Sequence, residues 1–272
     1  MNKSLLENYK DMDISLSELR SKAIFYLIEC LYRKKVVIGP YGDEFTSPIK
    51  VFGDCAIATW LKKDNIISGI NSLDLVWNEK CGKLSVSGFS DLLSSIMLEI
   101  DNDYVVNLLS EDSHCIKFYI NNLVNSELSF KVNIVIENYN FSCCRLKTSV
   151  AEYKNACIPF MSYDDLARER INRISSDTTV IDIKDLLDLY ELCISIKYGV
   201  SVFKNISVEN FKIFKECKET LRRNYELYSV DNSIEKPSFD MVYDVLSSFL
   251  EPLLLGKSFG FDYIFAGMWR AW

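Results

Sequence analysis

Two short stretches decide the fold of this chain: Val51-Phe-Gly-Asp-Cys-Ala-Ile-Ala58 and Asn71-Ser-Leu-Asp-Leu-Val-Trp77. The first places Gly53 between an apolar run and a helix-like run, which predicts a strand, a turn and a helix start. The second alternates polar and apolar side chains, so it predicts a strand with Ser72 and Asp74 on one face. A glycine turn at a helix start offers backbone N–H groups to phosphates. A strand carboxylate beside it can hold a metal ion.

Around these stretches, the hydrophobic periodicity predicts an α/β first half and a helical second half. Strands are expected at Val36–Ile38, Ile49–Phe52, Ser72–Trp77, Tyr104–Leu109, Cys115–Ile120, Phe130–Ile136 and Phe141–Lys147. Helices are expected at Leu16–Arg33, Ala56–Leu61, Phe89–Ile100, Tyr163–Ile174, Ile183–Tyr198, Val208–Tyr225 and Phe239–Leu254. Because the strands end near Ile158-Pro159, we expect an α/β domain of residues 1–158 and a helical domain of residues 159–272.

The composition indicates an ordinary globular protein. Hydrophobic residues make up 49% of the 272 residues and charged residues 25%. The net charge of −7 argues against a protein that coats nucleic acid by charge alone, although it allows a local basic groove. The N-terminus has no signal-peptide pattern and no apolar run is long enough for a membrane span. We therefore expect a cytoplasmic protein with no membrane partner.

The nine cysteines favour reduced thiols over a disulfide framework or a zinc site. Their number is odd and no CxxC pair occurs. The single histidine, His114, stands next to Cys115 without the spaced partners that a zinc site needs. Reduced, mostly buried thiols agree with a cytosolic protein.

Four stretches together resemble the motifs of the AbiEii/AbiGii nucleotidyltransferase toxin family. Gly53-Asp-Cys-Ala56 is similar to the family's Gly-Gly-Thr-Ala turn, and Ser72-Leu-Asp74 to the start of its Ser/Thr-x-Asp-x-Asp strand. Leu166-Ala-Arg-Glu-Arg-Ile-Asn-Arg173 resembles the helix that carries the family's lysine, with Arg170 in the lysine's place. Lys184-Asp-Leu-Leu-Asp188 resembles the motif Arg/Lys-Asp-x-x-Asp-Leu and is the most specific match.

The tail, Phe249-Leu-Glu-Pro252 and Trp269-Arg-Ala-Trp272, is also similar to the family's C-terminus, so the resemblance spans most of the chain. It implies a nucleotidyltransferase-like mixed sheet with flanking helices, followed by a mainly helical C-terminal domain. It also implies an enzyme that transfers a nucleoside monophosphate from an NTP to an acceptor, the tRNA 3′ end. A cognate antitoxin protein would restrain it, in a toxin–antitoxin or phage-defence setting.

The resemblance also implies the site residues. Asp74 and Asp185 are the expected catalytic residues and the expected ligands of Mg²⁺. The residues expected to bind the nucleotide are Gly53, Ser72, Arg170, Arg173 and Lys184. Since the two aspartates belong to motifs in different halves of the chain, we expect them to meet in one cleft between the domains.

The chain departs from the family pattern at four positions. Asp54 stands where the phosphate-binding turn has glycine or serine, and its charge would repel a triphosphate. Val76 replaces the second metal-binding acid, and Asn133 stands where a further carboxylate would be expected. Arg170 keeps a positive charge but cannot act as a base, because a guanidinium does not lose its proton in proteins.

These departures leave a second function open: a catalytically weakened relative that binds nucleotide, RNA or a protein partner without turnover. Each site residue also has a purely structural interpretation. Gly53 could be an ordinary turn glycine, and Asp74 a strand-end aspartate. Asp185 and Asp188 could be acids in the first turn of a helix, where they suit the helix dipole.

Overall fold

The chain divides into two units, Met1–Ser162 and Tyr163–Trp272, and each is described by itself. The computed structural model describes residues 14–33, 49–63, 66–78, 82–136, 143–146, 158–176, 182–195, 216–230 and 235–254. The motif at Trp269–Trp272 and the strand expected at Val36–Ile38 lie outside these residues, as do the ends of two expected helices, at residues 196–198 and 208–215.

A seven-stranded mixed sheet forms the centre of the first unit. Its strands are β1 Ile49–Phe52, β2 Ser72–Trp77, β3 Tyr104–Glu111, β4 Cys115–Asn122, β5 Phe130–Ile136, β6 Cys143–Leu146 and β7 Ile158–Met161. They lie in the order β3-β4-β5-β2-β1-β7-β6. The pairs β1–β7 and β2–β5 are parallel and the others antiparallel. Strand β7 was not expected, and the boundary expected after residue 158 falls within it because Phe160 pairs with Val51 of β1.

Helices α1 Leu16–Arg33, α2 Gly53–Leu61 and α3 Val86–Ile100 complete the first unit. The backbone N–H of Glu18 donates to Ser15 Oγ over 3.2 Å, which is half of a capping box at the start of α1. Helix α3 packs on the sheet through Phe89, whose ring centroid lies 6.1 Å from that of Phe118 on β4. Phe118 and its neighbours on that face are fully buried, as the strand alternation predicts.

The opposite face of the sheet carries most of its polar side chains. Residues that pair across strands share a face, and alternate residues of a strand point the same way. The register therefore places on this face, which we call the Asp74 face, Lys50, Phe52, Ser72, Asp74, Val76, Cys115, Lys117, Tyr119, Lys131, Asn133 and Val135.

The second unit is helical in its described part. It contains α4 Tyr163–Ser176, α5 Ile183–Ile194, α6 Lys218–Leu227 and α7 Phe239–Leu254, and α5 contacts the other three. Asp182 caps α5, since its carboxylate accepts from the backbone N–H of Lys184 over 2.9 Å. None of the helices in the described ranges is long and apolar enough to cross a membrane. The expected architecture, a mixed α/β sheet with flanking helices followed by helices, is confirmed.

Among the residues whose side chains the structure describes, five cysteines form no disulfide bond: Cys30, Cys55, Cys115, Cys193 and Cys217. Three of these, Cys30, Cys55 and Cys193, are buried. Burial raises the pKa of the Cys193 thiol well above its ordinary value, so this thiol stays protonated at neutral pH. Reduction of all nine cysteines stays a prediction, because the structure describes the thiols of these five alone.

Candidate active site

The start of α2 lies directly against the side chain of Asp74. Gly53 has a positive φ of 66°, a conformation that glycine adopts without steric cost. Phe52, the residue before it, pairs with Asp74 across β1 and β2. A Cβ atom at Gly53 would lie 2.6 Å from Asp74 Oδ2, which is far too close for any side chain. Cys55 adds a second contact, because its thiol donates to the carbonyl oxygen of Ser72 over 3.5 Å.

Two neutral side chains hold the Asp74 carboxylate. Ser72 Oγ donates to Asp74 Oδ2 over 3.0 Å, from the same face of the same strand. Asn133 Nδ2 donates to Asp74 Oδ1 over 2.8 Å, because β5 lies parallel to β2 and places Asn133 opposite Asp74. The carboxylate is only partly buried. These bonds fix its orientation at the mouth of the glycine turn.

The chemistry of this donor set can be compared with what Mg²⁺ requires. Magnesium is bound by one or two carboxylates together with substrate phosphates and water. Asp74 supplies the one carboxylate among the described residues of the Asp74 face, and Val76 at the second acid position is apolar and only 5% exposed. The hydroxyl oxygen of Ser72 and the amide oxygen of Asn133 are further oxygen atoms of the kind that Mg²⁺ prefers as ligands. The side chains therefore fit a magnesium ion that arrives with nucleotide phosphates, held by Asp74, and no ready-made cluster of three metal-binding side chains occurs in the described ranges.

Asp54, another of the departures from the family pattern, lies at the start of α2. Asp54 is the second residue of α2 and is only 3% exposed. A carboxylate in the first turn suits the helix dipole. It also adds a negative charge to the first turn of α2, which disfavours a phosphate at this helix start.

In the second unit, Arg170 is the centre of a buried ionic cluster. Arg170 is 1% exposed, and its Nε lies 2.9 Å from Oδ2 of the fully buried Asp188. The same nitrogen lies 3.4 Å from Asp185 Oδ1, and Arg173 Nη1 lies 3.6 Å from that oxygen. Arg173 also pairs with Glu169 one turn away on α4. The guanidinium of Arg170 is thus engaged by α5, whereas the Arg173 side chain is 49% exposed.

The carboxyl of Asp185 experiences two opposing effects. Burial raises its pKa above the ordinary aspartate value of 3.8, while Arg170 and Arg173 act to lower it, and the first effect is the larger. Within this unit Asp185 is a counter-ion of two arginines. That it also binds a metal stays a prediction, as does the cleft shared with Asp74, because the two residues belong to different units.

The expected site residues thus fall into two groups. The structure brings Gly53, Ser72 and Asp74 together in the first unit, and Arg170, Arg173 and Asp185 in the second, with Lys184 partly exposed in the first turn of α5. Sequence reasoning missed Asn133 as a partner of Asp74 and Asp188 as the partner of Arg170. The Lys-Asp-x-x-Asp spacing was the available signal for Asp188, because residues three apart share a helix face.

Comparison with solved structures shows that the chain has a nucleotidyltransferase-like fold. MenT4, a nucleotidyltransferase toxin from Mycobacterium tuberculosis, superposes with a TM-score of 0.50 and 11% identity, over 93% of this chain and 87% of its own. An antigenic nucleotidyltransferase-like protein from Paracoccidioides brasiliensis superposes with a TM-score of 0.41 and 13% identity, over 76% of this chain and 90% of its own. No protein-family model matches the chain. No curated protein matches it either.

Proposed function

We propose that this chain transfers a nucleoside monophosphate from an NTP to an acceptor, with Asp74 at the reaction centre. The observation that carries the proposal is the contact between Asp74 and Gly53, which joins a carboxylate to the start of a helix. A helix start supplies N–H donors to phosphates, and a carboxylate beside it supplies an oxygen ligand to the magnesium that accompanies them. The nucleotidyltransferase-like fold is the second support.

In the proposed reaction an acceptor oxygen bonds to the α-phosphorus, the bond to pyrophosphate breaks and pyrophosphate leaves, and the proton of the acceptor hydroxyl passes to solvent water. Mg²⁺, when bound, would neutralise charge on the phosphates. Asp74 would hold the ion, and the hydrogen bonds from Ser72 and Asn133 orient its carboxylate toward the turn. Gly53 has no side chain, so the phosphates can approach the backbone of the turn. Positioning and charge stabilisation supply most of the rate in such phosphoryl chemistry.

The acceptor and the setting belong to the same proposal. A tRNA 3′ end as acceptor, a cognate antitoxin and a toxin–antitoxin or phage-defence setting are supported by the resemblance to AbiEii/AbiGii proteins. MenT4, which has a similar fold, is itself a nucleotidyltransferase toxin, and this supports the toxin part of the proposal. A tRNA acceptor would place the protein in the cytoplasm. In the second unit, Arg173 and Lys184 are the more exposed of the expected nucleotide contacts.

The test is transfer of label from each α-labelled NTP, with Mg²⁺ and total tRNA, by the wild type and by Asp74→Asn. Asparagine keeps the shape of the side chain and removes the charge that binds the metal, so we expect labelling to fall at least about a hundredfold, or ~2.7 kcal/mol. Asp91→Asn is the matched control, because Asp91 is exposed on α3. Full labelling by Asp74→Asn would show that the reaction centre lies elsewhere.

A weakened relative that binds without turnover is the second candidate, and Val76 favours it. A nearly buried valine occupies the position of the second metal-binding acid, and Asp54 places a carboxylate at the helix start. If the wild type binds NTP but labels no acceptor, the double variant Val76→Asp/Asp54→Gly should gain transfer activity. A double variant that binds NTP and stays inert would count against this candidate.

A further inference from the structure

Two exposed lysines lie on the Asp74 face beside the candidate active site. Asn133 of β5 pairs with Asp74 on one side and with Lys117 of β4 on the other, so these three residues form one row across the sheet. In the next row, Lys131 of β5 lies between Ser72 and Tyr119. Both lysine residues are exposed. Nothing in the sequence motifs pointed to either.

The spacing of the strands brings both lysines within reach of phosphates at Asp74. Neighbouring strands are about 4.8 Å apart, so Lys131 is one such step from Ser72 and Lys117 two steps, roughly 10 Å, from Asp74. The thiol of Cys115 lies close enough to Lys117 and to Asp74 to interact with both charges. Burial raises its pKa most; Lys117 then lowers it, and Asp112 and Asp74 raise it. The lysine and the carboxylate therefore act on one small region of the sheet.

The described strand residues of the Asp74 face carry a net positive charge, and Asp112, which accepts from the backbone N–H of Cys115, adds a carboxylate at their edge. The net charge of the chain is −7. On the described residues of the Asp74 face, however, three lysines, Lys50, Lys117 and Lys131, accompany the one carboxylate of Asp74. A cationic region on an acidic protein favours an anionic ligand.

A triphosphate bound at Asp74 needs positively charged side chains near it, and the sheet provides them in Lys117 and Lys131. A nucleoside triphosphate brings several negative charges, and the helix start beside Asp74 already contains the acid Asp54. The arginine expected to bind the phosphates, Arg170, is 1% exposed and engaged by Asp188 and Asp185. A ligand that bound the Arg170 guanidinium would have to break this buried ion pair. Lys117 and Lys131 are exposed and can contact a ligand without that loss.

We propose that Lys117 and Lys131 bind the phosphate chain of the nucleotide whose magnesium is held by Asp74; this assignment rests on the proposed function of that site. The phosphates then extend from Asp74 along the two rows toward β4. The lysines are positioning residues, since they hold and orient the triphosphate through point charges on flexible stems. An RNA phosphate backbone has the same chemistry, so the experiment includes it as a separate arm.

Binding of each NTP with Mg²⁺, of the corresponding nucleosides and, in a separate arm, of total tRNA is measured by calorimetry for the wild type and for Lys117→Gln/Lys131→Gln. We expect the Kd of the triphosphate to rise at least about tenfold, or ~1.4 kcal/mol, while nucleoside binding stays unchanged. Lys63→Gln/Lys83→Gln is the matched control, because these lysines are exposed in the same unit and lie outside the Asp74 face. It should bind NTP like the wild type.

An unchanged Kd in the Lys117→Gln/Lys131→Gln variant overturns the assignment, as does a wild type that binds no NTP. Loss of RNA binding with unchanged NTP binding also overturns it, and gives the lysines to the acceptor instead. The proposed function is judged separately. If the lysine variant binds NTP normally and Asp74→Asn still abolishes transfer, the lysine assignment fails and the proposed function stands. If the lysine variant loses NTP binding, the control variant keeps it and the wild type labels no acceptor, the lysine assignment stands and the proposed transfer activity fails.

Discussion

Asp74 Oδ2 and Gly53 are in such close contact that a Cβ atom on the glycine would lie 2.6 Å from that oxygen and 3.3 Å from the Cβ of Asp74. The contact joins the second strand of the sheet to the first residue of α2. It depends on the absence of a side chain at Gly53 and on its φ of 66°. This relationship makes the glycine as important to the candidate site as the carboxylate.

Gly53→Ala should therefore abolish activity without removing any polar group. The left-handed backbone costs an L-residue about 1–2 kcal/mol, and the methyl group must also push Asp74 away. We expect a drop of at least that size in the free energy of urea unfolding, together with loss of NTP transfer. Gly69→Ala is the control: Gly69 has a similar φ of 75°, but its nearest neighbour would be 3.7 Å away. It should lose stability and keep activity; retained activity in Gly53→Ala would contradict the role of the contact.

Asn133→Asp should make the site dependent on magnesium for stability. A second carboxylate would face Asp74 across β2 and β5, and the two like charges would repel each other without a cation between them. We expect a lower Tm than wild type without Mg²⁺, and a larger rise in Tm on adding it. At a hundred times the Kd, a bound ion contributes about 2.7 kcal/mol.

Asn133→Ala provides the comparison for that experiment. It removes the hydrogen bond to Asp74 Oδ1 and adds no charge, so its Tm should fall without a greater response to Mg²⁺. Equal Mg²⁺ responses in the wild type, Asn133→Asp and Asn133→Ala would mean that Asn133 does not face the metal position.

Arg170→Met should destabilise the second unit strongly, since it leaves Asp188 as a buried charge without its nearest partner. Breaking a buried ion pair from one side costs about 3–5 kcal/mol. The double variant Arg170→Met/Asp188→Leu should recover much of that loss, because both charges are then gone. Urea unfolding checks both. Arg168→Met is the control: its pair with Asp165 is 41% exposed on the arginine side and should contribute less than ~1 kcal/mol.

The pKa of Asp185 predicts a pH dependence with a definite sign. Burial raises this pKa in the folded chain above 3.8, against the opposing effect of Arg170 and Arg173. Between the ordinary and the raised value, the folded chain holds a proton that the unfolded chain has lost. The contribution of Asp185 to stability is therefore greatest below pH 3.8 and declines as the pH rises through the raised value.

Asp185→Asn removes this titration. Its free energy of unfolding relative to wild type should rise as the pH increases from 3.8 and then level off. Chemical denaturation at closely spaced pH values measures the difference directly. A difference that falls with rising pH would mean that the arginines outweigh burial at this carboxyl.

The sequence by itself determined most of the elements and the face on which each strand residue lies. Strands β2 and β5 have the bounds that alternation predicts, and Asp74 shares a face with Ser72 as expected. Alternation is a local property, because successive side chains of any strand point to opposite sides. Strand β7 was missed for the same reason: its four residues, Ile158–Met161, are all buried, so they show no alternation.

Only the tertiary structure decided which residues meet. Asn133 reaches Asp74 because β5 lies parallel to β2, after the β3–β4 hairpin has been placed outside it in the sheet. Strand order is set by which apolar faces can be buried together over long sequence separations, and no local pattern records it. The pairing of Arg170 with Asp188 joins two helices in the same way. That pair is buried, because a desolvated guanidinium needs its carboxylate nearby. The role of Arg170 in binding the nucleotide stays a prediction.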